Sequence, residues 1–136
     1  MPVIAADENC LVFAYELADT GKPLPLNVAV VRCDECLAVK WGPPNDEALD
    51  RHRYYEAGLS YYNVYEVSGS DWIPELETQN AVHSRHFPSL SASYRHFILT
   101  FHDSTLEFLA KDPVYRLAKG SPMKAALQAF QDMPQP

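Results

Sequence analysis

Alternation of apolar and polar residues recurs in short runs along this chain, and turn-forming residues separate the runs without leaving room for regular helical crossovers. Strands joined in that way pair mainly as hairpins. The reading is therefore α+β, with a mainly antiparallel sheet of about five to six strands and two or three helices, rather than a doubly wound fold. At 136 residues the chain predicts one compact domain over 1–136, long enough to bury a core without disulfides or metal.

The first run, Cys10 to Leu17, places Leu11, Phe13, Tyr15 and Leu17 on one face of a strand. Leu26 to Arg32 and Cys36 to Trp41 read as the two arms of a hairpin turning at Asp34 and Glu35. Asn45 is placed to cap a helix running to about Ala57, with Asp46 and Glu47 at its positive end. Tyr61 to Val67 alternates as a strand, and Ser70 or Asp71 caps a helix that tolerates Pro74 in its first turn. Tyr94 to His102 is the clearest strand. It sets Phe97, Leu99 and Phe101 on one face against the more polar row His96, Ile98, Thr100 and His102. Leu106 to Ala110 and Val114 to Leu117 then suggest an antiparallel pair. Ser121 and Pro122 open a last helix whose stripe is Met123, Ala126, Leu127 and Phe130.

Charge excludes some partners. Eleven Lys and Arg against 18 Asp and Glu give a net charge of −7, which repels phosphate backbones and anionic membranes and suits a basic protein partner. The first residues lack the charged start and apolar run of a secretion signal, and no apolar stretch approaches the length that spans a bilayer. Three cysteines, an odd number, fit a reducing compartment, so the expectation is a cytoplasmic protein with neither nucleic acid nor membrane as partner. No glycine-rich phosphate loop or dinucleotide fingerprint occurs.

Several groupings bear on chemistry. His83 and His86 form an HxxH pair, and with His102 and Asp103 or Glu107 they would offer nitrogen and oxygen ligands to zinc or another divalent transition metal that activates water. His96 and His102, six residues apart on one strand, stand roughly 20 Å from each other and cannot share an ion without a bulge. Cys33 and Cys36 have the CxxC interval of zinc knuckles and redox dithiols, or simply flank a turn. Ser104, His102 and Asp103 are adjacent residues whose side chains diverge, which is the wrong geometry for a nucleophilic triad.

The unusual concentration is aromatic: Tyr54, Tyr55, Tyr61, Tyr62 and Tyr65, with Trp41 and Trp72. Tyrosine buries a ring while keeping its hydroxyl wet, which suits an interface. The functional expectation is a small acidic protein-binding molecule, adaptor or inhibitor-like, without cofactor or catalysis, contacting another protein or a second copy of itself. Tyr61, Tyr65, Glu66, Asp71 and Trp72 are the binding residues this expectation names. The alternative is a metal-dependent hydrolase built on His83, His86, His102 and Asp103.

Overall fold

A computed structural model describes residues 1–18, 21, 24–85 and 91–134. The fold is α+β, with eight strands in two four-stranded antiparallel sheets. Contacts divide the chain into two compact units, one made of residues 1–36 and 112–136 and the other of residues 37–111. None of the described helices is long and apolar enough to cross a membrane.

The first unit holds β1 (Val3–Ala6), β2 (Leu11–Glu16), β3 (Val28–Cys33) and β8 (Val114–Ala118), in the order β1-β2-β3-β8. Helix α2 (Pro122–Gln131) lies against β1, β2 and β3. Ser121 caps it as expected, its hydroxyl accepting the Lys124 N–H, and proline takes the first helical position. The buried stripe, however, is Ala126, Ala129 and Met133, packed on Cys10, Val12, Ala14, Val28 and Val30. Met123 and Leu127, expected in that stripe, are 52% and 49% exposed. The helix thus presents the small side chains of Ala126 and Ala129 to the sheet and turns the longer Met123 and Leu127 outward.

The second unit holds β4 (Cys36–Gly42, whose first residue belongs to the other unit), β5 (Val64–Val67), β6 (Arg95–Thr100) and β7 (Thr105–Ala110), in the order β4-β7-β6-β5. The sheet assignments correct two expected hairpins. β3 and β4 do not pair across Asp34 and Glu35, because they belong to different sheets, and the same holds for β7 and β8. Alternation identifies a strand but not its neighbour, and here the chain changes sheet at both short links. The N-terminal strand β1, pairing Val3 with Ala14 through Ala6 with Leu11, adds to the expected set.

The helix expected from Asn45 to Ala57 is instead two 3-10 segments, Asp46–Arg51 and Tyr55–Ala57. Asn45 caps the first, accepting the Ala48 N–H at 3.1 Å. His52 then leaves the helical region, at φ −68° and ψ 138°, because its ring is held elsewhere. Helix α1 (Trp72–Asn80) begins where expected, with Ser70 Oγ accepting the Trp72 N–H.

Strand β7 is central in its sheet and all six of its residues are buried, Glu107 among them. Pairing sets Ile98 opposite Glu107 and His96 opposite Leu109, so these side chains share a face. That face, the polar row of β6, is covered: His96, Ile98 and Thr100 are 1%, 0% and 3% exposed. Leu49, Leu59, Tyr54, Tyr55, Tyr65 and Val67 pack around Ile98 there.

Candidate functional site

Two polar clusters form in the second unit, one buried and one at the surface. The buried one centres on Glu107. Its Oε2 lies 2.8 Å from His96 Nε2 and its Oε1 lies 2.5 Å from His52 Nε2. The two imidazoles are 1% and 6% exposed at the side chain and the carboxylate 10%. Burial pushes the Glu107 carboxyl up, but hydrogen bonds from His52 and His96 outweigh it and hold the group down at about 2.

The remaining ring nitrogens are also engaged. His52 Nδ1 accepts the Tyr54 N–H at 3.1 Å, so its proton sits on Nε2 and points at Glu107. Ser70 Oγ accepts the Trp72 N–H at 3.2 Å and lies 2.7 Å from His96 Nδ1, while His96 Nε2 faces the Glu107 carboxylate. Both imidazoles thus turn Nε2 to the one carboxylate, and each of their four ring nitrogens has a partner. The rings of Tyr54 and Trp72 stand edge-on to His96, at 5.8 Å and 5.3 Å between centroids. Such a closed network orders a core.

The surface cluster joins Asp46, Tyr62 and His102. Asp46 Oδ2 accepts from Tyr62 Oη and from His102 Nδ1, each at 2.6 Å, and the Asp46 N–H donates to the His102 carbonyl at 3.0 Å. The hydrogen bond from Tyr62 first, then that from His102, holds the Asp46 carboxyl below its usual value. Reciprocally, the Asp46 carboxylate raises both the His102 imidazole and the Tyr62 phenol. Asp103 Oδ1 lies 3.8 Å from His102 Nε2. Tyr62 itself has φ +56°, in the left-handed region that a bulky side chain rarely enters, yet the residue is 61% exposed. Tyr61, 48% exposed, stands 6.2 Å away ring to ring.

The expected binding residues occupy different settings. Tyr61 lies in the exposed turn. Tyr65 is half-buried against Leu49, Leu59 and Ile98, its hydroxyl accepting the Ser60 N–H at 2.7 Å. Glu66 is bound by Arg95 at 2.7 and 3.0 Å, and Asp71 lies 3.2 Å from Arg53. Trp72 is 6% exposed, with Lys40 Nζ 4.2 Å from its ring centroid.

Among the metal candidates, His83 is exposed beyond α1 and its Nδ1 accepts the Arg85 N–H, while His86 lies outside the described residues. Among the described residues no group of three or more His, Cys, Asp or Glu side chains is arranged to hold a metal ion. Cys33 and Cys36 bracket the link between β3 and β4, and both are buried. Burial first, then the neighbouring Cys36 and Asp34, pushes the Cys33 thiol up to about 12, far from the thiolate that metal binding or redox exchange needs.

His52 and Glu107 meet across 55 residues of sequence, and no spacing rule connects them. The available signal is Glu107 itself, a lone charge inside the apolar run from Leu106 to Ala110. Comparison with family models, with curated proteins and with solved structures finds no match.

Proposed function

We propose that this chain is a non-catalytic protein-binding molecule, adaptor or inhibitor-like, and that the Tyr61–Tyr62 turn is its contact surface. What carries this reading is the conformation of Tyr62. A left-handed backbone at a bulky residue costs on the order of 1–3 kcal/mol. Packing does not demand it here, since the side chain is 61% exposed. The Tyr62 hydroxyl, donating to Asp46 at 2.6 Å and lying 3.3 Å from His102 Nδ1, holds the ring in that position at the surface. An aromatic side chain fixed before the partner arrives loses little entropy on binding, the property that makes tyrosine an effective interface anchor.

The surroundings favour a basic partner. Asp46 and Asp103 place carboxylates beside two tyrosine rings, and the chain carries a net charge of −7. A lysine or arginine from the partner meets carboxylates and π-faces together there. The buried histidine network supports the same reading from the other direction. Its hydrogen-bonding groups are consumed internally, so it contributes rigidity rather than a proton-transfer site.

A peptide-display selection against the full chain tests the proposal. Lysine- or arginine-containing binders whose affinity collapses on Tyr62→Ala are the expected result. A selection returning only binders indifferent to Tyr62→Ala and Asp46→Ala would remove the proposal's basis.

A further inference from the structure

Among the described residues β8 is an edge strand, bonded to β3 on one side only. Such an edge presents unpaired backbone donors and acceptors to any extended chain. Its side chains are open on both faces: Val114, Tyr115 and Leu117 are 62%, 74% and 44% exposed. Register places Val114 opposite Arg32 and Arg116 opposite Val30, so Val114 and Arg116 project to the face that α2 covers. There, a groove of about 220 Å³ is lined by Val30, Arg32, Val114, Arg116, Ala129 and Asp132, with Tyr115 at its wall.

Charge decides what fits. Arg32 is neutralised by Asp34 at 2.8 Å, whereas Asp132, which accepts from the uncharged Gln128 amide at 3.0 Å, keeps its charge on the α2 side of the groove. The Arg116 side chain has no ion-pair or hydrogen-bond partner among the described residues. Residues 112–124 carry Arg116, Lys119 and Lys124 against the single acid Asp112, a basic strip on a chain that is acidic as a whole. A second copy pairing β8 with β8 brings two such strips together and is disfavoured by like-charge repulsion. An acidic strand meets the opposite situation.

We infer that β8 and the groove beside α2 bind an extended acidic segment of another protein, which adds a strand to the sheet and sets a carboxylate on Arg116. Backbone hydrogen bonds along the edge supply affinity, and the alternating side chains supply selection. On the groove side the incoming residue opposite Arg116 is Asp or Glu and the one opposite Val114 is apolar. On the other face, aliphatic or aromatic residues cover Tyr115 and Leu117. This site is independent of the Tyr62 surface and is read without it.

The test is a titration of the isotope-labelled full chain with a short synthetic peptide of alternating threonine and valine bearing one central glutamate. Amide shift changes at 114–118 and along the α2 residues that line the groove are the expected result. Arg116→Glu should weaken binding about fivefold, the scale of one exposed ion pair. A peptide with lysine in place of the glutamate should bind that variant better than it binds the native chain, which separates charge recognition from damage to the fold. Methylating the peptide backbone nitrogens should abolish binding to both. Shifts absent from β8, equal binding of the glutamate and lysine peptides to the native chain, or tolerance of backbone methylation would each overturn the inference. So would a dimer in solution that buries β8.

Discussion

His96 Nε2 and Glu107 Oε2 stand 2.8 Å apart on adjacent strands, one diagonal step from the register partner Ile98. On that diagonal a long side chain reaches its neighbour across the sheet. Here it also completes an assembly, because Glu107 spends its second oxygen on His52, from the segment between the two 3-10 helices.

Glu107→Gln turns one acceptor into a donor that faces an imidazole N–H. The expected cost is about 1–3 kcal/mol, the penalty for a buried donor without an acceptor. Glu107→Leu leaves both N–H groups without acceptors and should cost more. Urea denaturation midpoints of the three proteins at neutral pH check the order.

The same carboxylate gives stability a defined acid dependence. Its folded value, about 2, lies below the ordinary 4.5, so its contribution is fully present above about pH 4.5 and is lost as the pH falls towards 2. Linkage over that interval amounts to something on the order of 3 kcal/mol. The stability gap between the native chain and Glu107→Gln should narrow across this window in denaturation curves recorded at stepped pH.

At the surface cluster the sign is reversed for the histidine. The Asp46 carboxylate raises His102 above its ordinary 6.5, so the stability gained from this pair is present below 6.5 for as long as Asp46 stays ionised and fades as the pH rises through the folded value. Asp46→Asn should return the His102 titration midpoint towards 6.5, read directly from its ring-proton shifts in NMR.

Helix α2 discriminates between two readings of its stripe. Ala129 is 6% exposed against the sheet, so Ala129→Leu forces an extra side chain into packed space and should cost about 1–3 kcal/mol. Leu127→Lys, at a position 49% exposed, should change stability by no more than about 0.5 kcal/mol. Thermal melts of the two variants give the comparison.

Cys33 is 1% exposed and its thiol is pushed up to about 12. Iodoacetamide at mildly alkaline pH should leave it unmodified in the folded chain and label it rapidly in denaturant, as followed by mass spectrometry.

The elements of this fold were legible where one period dominated. Phe97 to Leu99, the Ser121 cap with Pro122, and the Asn45 cap all announce themselves within a few residues. Strand partners were not legible, since the short links after Cys33 and Ala110 look like hairpin turns although each connects two sheets. The expected polar row His96, Ile98, Thr100 and His102 divides at the end of β6: His102 lies beyond the strand and is exposed, whereas the part within the strand is covered. That part is buried because Glu107, Ser70 and the Ser60 carbonyl supply partners from distant segments. At the candidate site the tyrosines drew notice through their number. The one held in an unusual conformation, Tyr62, is marked only by its backbone angle, which no residue pattern encodes.

Glu107 also bears on how its sheet assembles. An ionised group in the middle of a central strand is tolerable only when rings from positions 52 and 96 have both arrived. Packing that excluded water from Glu107 before either ring docked would leave that charge without a donor, so such arrangements are penalised. One acidic residue thereby ties the segment around His52 to strands β6 and β7, so that loosening either ring exposes the cost of the other's partner.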